Sequence, residues 1–232
     1  MDFNIKENNY LISMTPRNSI IEAGYVIGLN NNSNVLDLCC GYGEMLKIWN
    51  EQFGAKGIGV DVCEEFILTS TQRLADNSDI ELVQGDVLQY HADKKFDVVS
   101  MCGIGDLFGG IEENIAILEK YVKPNGKLVI AECFLKNDNA PQELIDFEGK
   151  LYTLDEINNI FNSRGYYITY FSTGTNAEWE RYIAWDARRT IQKIQENPSD
   201  AVAKAWLNKW YQMYFKYRRN YEGWGFFVIE HI

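Results

Sequence analysis

Three carboxylates stand at the ends of short apolar runs. Asp37 lies inside VLDLCCGYGE (35–44), just ahead of Gly41 and Gly43; Asp61 closes the run in GIGVDV (57–62); Asp86 sits in VQGDV (83–87). An apolar run that breaks into glycines reads as a strand opening into a loop where backbone approaches a ligand closely. Neither phosphate pattern is present. A dinucleotide loop wants a third glycine three residues after the second, and Leu46 stands there. No Gly-Lys-Ser/Thr follows, which removes the P-loop. Asp37 and Glu44, flanking the loop, would also repel a pyrophosphate.

A ligand with an amino group and a sulfonium but no phosphate would suit such a loop, and S-adenosylmethionine is one. On this reading Asp61, with its neighbour Val62, takes both ribose hydroxyls in a charge-assisted pair. Asp86 accepts from the adenine amino group, and Val87 donates its backbone N–H. Asp37 reaches the cofactor directly or through water, or merely caps the loop.

The elements that must position these groups alternate. Strand patterns at 35–38, 57–62, 80–87, 96–101, 127–134, 166–173 and 223–232 are separated by helical patterns at 43–54, 64–76, 111–122 and 153–165. Such alternation predicts an α/β fold, a doubly wound, mostly parallel sheet with ligands outside the carboxyl ends of its strands. About fifty residues, 174–222, separate the last two strands and are helical in pattern. A connection that long carries structure of its own, and it leaves its strand at the same edge as the glycine loop. The expected organisation is an N-terminal helical cap (1–34), a cofactor-binding core (35–173), a helical lid (174–222) and a last core strand (223–232).

In the order VLDLCCGYGE, GVDV, VQGDV, FDVVSMCG and LEKYVKPNGKLVIAE, residues ~35 to 135 resemble the class I S-adenosylmethionine-dependent methyltransferases. The resemblance implies a Rossmann-like sheet of seven strands, order 3-2-1-4-5-7-6, the last antiparallel. It implies that Gly41 and Gly43 admit the methionine part of the cofactor, and that Met101, Cys102 and Gly103 line its far side. The family's usual first glycine is Cys39 here, which puts a thiol near the cofactor. Where nucleic-acid and glutamine N-methyltransferases carry Asn/Asp-Pro-Pro-aromatic, this chain has Met-Cys-Gly-Ile. AEWERY and GWGFFVI resemble a group of bacterial methyltransferases and name no substrate.

Candidates for the acceptor side are Phe108 and Asp106 in GDLFGG (105–110), Glu132 at the end of the fifth strand, and Trp179 and Tyr182 at the start of the long helical segment. Glu132 or Asp106 would orient or deprotonate an acceptor. Tyr10 and Arg17 precede the first strand, where the family often caps its pocket; each could equally be surface. Aromatic residues at four-residue spacing, such as Trp206, Trp210 and Tyr214, read as packing.

The chain has 232 residues, 46% of them hydrophobic, and a net charge of -11. That charge disfavours nucleic acid as partner. No apolar run reaches the ~20 residues of a membrane span, and the first ten residues lack the marks of a secretory leader; a cytoplasmic location is expected. Five cysteines, an odd number without a C-x-x-C pair, read as free thiols. All follow strands, so they suit tight strand ends or thiol and soft-metalloid chemistry. The reading is metal-free, in-line methyl transfer from S-adenosylmethionine to a small molecule, releasing S-adenosylhomocysteine. A cofactor-binding sensor or inactive subunit is the alternative, and an oxidoreductase a third. The oligomeric state has no sequence signature.

Overall fold

The computed structural model describes residues 10–232. The first nine residues of the expected N-terminal cap lie outside the described residues. The elements run α1 (Arg17–Ile27), β1 (Asn34–Leu38), α2 (Glu44–Phe53), β2 (Lys56–Asp61), α3 (Glu64–Arg73), β3 (Ile80–Gln84), β4 (Phe96–Cys102), α4 (Ile111–Leu118), β5 (Val122–Leu135), α5 (Gln142–Glu148), β6 (Tyr152–Thr153), α6 (Leu154–Ser163), β7 (Tyr166–Thr173), α7 (Asn176–Glu196) and α8 (Ala201–Met213). A π-helical turn (Tyr214–Arg218) and a short α9 (Arg219–Tyr221) lead into β8 (Glu222–His231).

The sheet order is β3-β2-β1-β4-β5-β8-β7, with β6 paired to β5 off this path. β1 to β5 pair in parallel and β8 runs antiparallel to both its neighbours. This is the order that the resemblance implied, with the two-residue β6 as an unexpected eighth strand. Two further differences are local. The helix expected to reach Val122 ends at Leu118, because Val122 pairs with Phe96. KPNG (123–126) is an irregularity within β5: Asn125 has φ 66° and the β4–β5 register shifts between Phe96 and Val98.

Successive strand residues point to opposite faces, and both faces are buried. Val35, Val98, Val129 and Val228 pack with Ile20, Leu46 and Trp49 and, from α7 and the chain after it, Trp179, Ile183 and Tyr214. Their neighbours Leu36, Val99, Ile130 and Ile229 pack with Ile115, Leu118, Ile157 and Phe161. Trp49, fully buried, donates from Nε1 to the Ile20 carbonyl at 2.8 Å. Two helices open with a capping box: Thr153 with Glu156 at α6, and Thr175 with Glu178 at α7. No helix among the described residues is long and apolar enough to cross a membrane.

Candidate functional site

The carboxyl edge of the sheet carries two adjoining cavities. The first, about 360 Å³, is lined by Asp37, Cys39, Cys40, Gly41, Asp61, Cys102 and Gly103 from the strand ends, by Tyr10 to Ser13 from the N-terminal segment, and by Tyr182, Trp185, Asp186 and Arg189 from α7. The second, about 280 Å³, is lined by Asp106, Glu132, Cys133, Glu148, Tyr152, Arg218 and Trp224 among others. Ile12, Gly103, Ile104 and Tyr182 belong to both. The two spaces therefore meet where β4 ends.

The glycine loop is built by its backbone. Gly41 has φ 55°, and a Cβ there would stand 3.0 Å from the Ile12 side chain, inside the space above the loop. Cys39 takes φ 60°, a left-handed conformation that L-residues adopt at a cost of about 1–2 kcal/mol. Asp61, 8% exposed, accepts the Gly41 N–H at 2.8 Å through one oxygen and the Cys63 N–H at 2.9 Å through the other. It thereby ties the loop after β1 to the end of β2, and each oxygen keeps lone-pair capacity for a ligand.

Asp37 and Glu44 do not present two free charges to the loop. Both Glu44 oxygens are taken, one by Arg17 at 3.2 Å and one by Arg73 at 2.7 Å. Asp37 accepts from Ser100 Oγ at 2.7 Å, its register partner on β4. Burial pushes the Asp37 carboxyl up to about 7, against the Ser100 hydrogen bond. The repulsion of a pyrophosphate expected from these two carboxylates is thus largely quenched, and Asp61 is the loop's remaining acidic anchor.

The other residues singled out in the sequence separate. Tyr10 lines the first cavity, edge-on to Tyr42 with the Arg73 guanidinium 4.3 Å from its ring centre. Arg17 pairs with Glu44 and Glu51 and lines neither cavity. Gly43, at φ 65°, caps α2. Met101 is core. Val62 is exposed and Val87 buried, and neither lines the first cavity. Asp86, also outside that wall, is exposed and accepts the Leu88 N–H at 2.8 Å. Phe108 packs against the core below α4. Trp179 is 3% exposed and stacks on Tyr214, in the core beneath the cavities. Tyr182 faces both spaces, and burial pushes its hydroxyl up to about 12.

Several lining residues escaped the sequence reading. Trp185, Asp186 and Arg189 follow Tyr182 at three-, four- and seven-residue steps, which puts them on one face of α7; that spacing was the available signal. Arg189 forms a bidentate contact with Glu65, 2.9 Å to each oxygen, joining α7 to α3. Arg181 donates to the Leu11 and Ser13 carbonyls and holds the N-terminal segment under α7. Glu148, Tyr152 and Arg218 had no local signal, because α5, β6 and the π-helical turn only meet in three dimensions.

The five thiols are free and half-buried. Burial, then the charges of Asp61 and Asp37, pushes Cys39 up to about 12; Cys40, Cys102 and Cys133 are raised as well, first by burial. These groups stay thiols at neutral pH, the unreactive form. Among the described residues no group of three or more His, Cys, Asp or Glu is placed to hold a metal ion.

Residues 35–126 match the family model of the methyltransferase domain. The uncharacterized protein YjhP of Escherichia coli K12 is 27% identical over 217 residues, 89% of this chain and 88% of its own. The X-ray structure of YjhP superposes with a TM-score of 0.89 over 98% of this chain and 97% of that one, at 24% identity. An S-adenosylmethionine-dependent methyltransferase from Thiobacillus denitrificans, in complex with S-adenosylhomocysteine, gives 0.87 at 24% identity over 100% of both chains. One from Geobacter sulfurreducens, in the same complex, gives 0.85 at 24% over 96% of this chain and 94% of that one.

Proposed function

We propose that this chain, whose residues 35–126 match the methyltransferase-domain model and whose fold is that of S-adenosylmethionine-dependent methyltransferases, transfers a methyl group from S-adenosylmethionine to a small-molecule acceptor. The observation that carries the reading is the shared wall at Gly103, Ile104 and Tyr182 between a cavity over the glycine loop and a second cavity beside it.

The first cavity fits the cofactor. Gly41 leaves open the space that a Cβ would fill, Asp61 offers unused lone pairs to ribose hydroxyls, and Tyr10 and Trp185 offer flat walls. Among the described residues its one lysine or arginine, Arg189, is already engaged by Glu65, which suits a ligand without phosphate. Bound there, S-adenosylmethionine would supply a methyl group already activated by its sulfonium. The chain's own residues would align and desolvate the partners: Asp61 as anchor, Gly103 and Ile104 as the floor of the junction, and segment 174–222 as a lid over both.

The second cavity supports an enzyme over a sensor, because an acceptor has room beside the junction. Its volume suits a small molecule, and the acidic chain suits no nucleic acid. Calorimetric titration with S-adenosylhomocysteine, NAD and NADP tests the reading. Micromolar binding of S-adenosylhomocysteine alone is expected, and dinucleotide binding instead would overturn it.

A further inference from the structure

The second cavity has a carboxyl that the fold does not need. On its face of β5, Leu128, Ile130 and Phe134 are apolar core, and Glu132 continues their alternation at the cavity wall. It is 4% exposed. Its Oε2 accepts the Gly105 N–H at 3.1 Å, and its Oε1 is buried without a hydrogen-bond partner. A buried acceptor left unmatched costs free energy unless a ligand supplies the donor. Glu132 also adjoins the junction: Ala131 pairs with Cys102, and the Gly103 N–H donates to the Ala131 carbonyl at 2.7 Å.

The charge around it is acidic. Asp106 and Glu148 line the same cavity. The cations there are spoken for or exposed. Arg218 lies 2.7 Å from Glu222 and 3.0 Å from Glu148, with its guanidinium 4.4 Å from the Trp210 ring centre. Lys150 is exposed, with Nζ over the Tyr152 ring. Three carboxyls, Asp106, Glu132 and Glu148, thus line the cavity against two cations, Arg218 and Lys150, and the rings of Tyr182 and Trp224 suit a cation as well.

Resting on the cofactor reading above, we propose that the acceptor is a small aliphatic amine whose ammonium group is received by Glu132, and that Glu132 takes the proton the amine must lose before methylation. An ammonium has no lone pair to attack with. An aliphatic amine titrates near ~10, within reach of a buried carboxylate, whereas an unactivated hydroxyl does not. Burial, partly offset by the backbone N–H groups of Gly105, Ile104 and Cys133, holds the Glu132 carboxyl up at about 8. Glu132 therefore rests protonated at neutral pH and releases that proton to solvent when the ammonium arrives. The carboxylate so formed takes a proton from the ammonium. The freed lone pair forms the N–C bond as the S–C bond breaks, and that bond's electron pair returns to sulfur. The product leaves as a methylated ammonium, and Glu132 is again protonated. The proton released on binding is the net proton of the reaction.

The test is calorimetric titration of the full chain saturated with S-adenosylhomocysteine, at pH 7 in phosphate and in Tris. The probes are butylamine and phenethylamine, with their isosteres 1-butanol, 2-phenylethanol, butanoate and 3-phenylpropanoate. The difference between the buffers counts protons exchanged on binding. The expected result is that an amine binds at least about tenfold tighter than its isosteres and releases about one proton. In Glu132→Gln both the preference and the release are lost while S-adenosylhomocysteine binds as in wild type. An alcohol or carboxylate binding equally well, amine binding without proton release, or no amine binding overturns the proposal. These wild-type arms decide it even if the variant does not fold. Failure of wild type to bind S-adenosylhomocysteine would instead overturn the cofactor reading, and the same probes without it still read the acidic cavity.

Discussion

The cavity over the glycine loop and the cavity beside it are made in different ways. The first is backbone architecture. Gly41, Cys39 and Asp61 act through φ angles and main-chain N–H groups contributed by strands adjacent in the sheet. The second is side-chain architecture. Asp106, Glu132, Glu148, Tyr182 and Arg218 come from five separated segments, and Arg218 is held out of water by Glu148 and Glu222. The first arrangement is tolerant, since its geometry follows from the fold. The second is fragile, since a buried charge is only as stable as its partner.

Titration sharpens this contrast most. Burial raises Glu132 to about 8, Glu148 to about 7 with the help of Glu222, and Asp37 to about 7. A carboxyl raised on folding keeps its proton in the native state while the unfolded chain has lost it. Each such group adds stability that is complete below the unfolded value near ~4 and lost as pH rises through the folded value. Each steepens the slope by up to about 1.4 kcal/mol per pH unit. The urea midpoint is expected to fall between pH 5 and pH 8. The double variant Glu132→Gln, Glu148→Gln should flatten that fall more than Asp37→Asn. An equal effect would erase the contrast.

Removing one partner of the buried pair comes next. Glu222 is fully buried and holds Arg218, itself 4% exposed. Glu222→Ala is expected to cost about 3–5 kcal/mol in urea unfolding, the penalty of an uncompensated buried cation. A loss below about 1 kcal/mol would mean that Glu148 alone suffices for Arg218.

On the backbone-built side, Asp61→Ala removes a charge-assisted acceptor worth about 1.5–3 kcal/mol. Binding of S-adenosylhomocysteine is expected to weaken roughly ten- to a hundredfold, read by calorimetry. Unchanged binding would remove Asp61 from the cofactor site. The smallest effect belongs to Cys39→Gly. Relief of the left-handed conformation is worth about 1–2 kcal/mol, and the added freedom of glycine in the unfolded chain takes back roughly 0.5–1. A change within about 1 kcal/mol in the unfolding midpoint is expected. A large loss would mean that the thiol packs in a way its backbone does not reveal.

What could be read from the chain follows the same division. VLDLCCGYGE, GIGVDV and FDVVSM are local patterns: apolar alternation makes strands, and glycines make the turn that follows. Their alternation was enough for a mostly parallel sheet and for the position of the loop, and the strand order came from the family resemblance. Asp61 was legible because its place at a strand end is a sequence property. The charge state of the loop was not, because Arg17, Arg73 and Ser100 reach Glu44 and Asp37 only after α1, α3 and β4 have packed. Trp179 and Tyr182 look equivalent in AEWERY and share one side of α7, yet Trp179 is buried against Tyr214 while Tyr182, one turn further along, reaches both cavities.

By itself, then, the sequence determined the fold class and the glycine loop, since each depends on contacts within a few residues or on strand-end position. Only the tertiary structure decided which carboxyls are charged, which aromatic residues line the cavities, and that α5, β6 and the π-helical turn close the second cavity around Glu132. Burial and pairing are properties of distant segments brought together. The free energy of a buried carboxyl depends on them far more than on its neighbours along the chain.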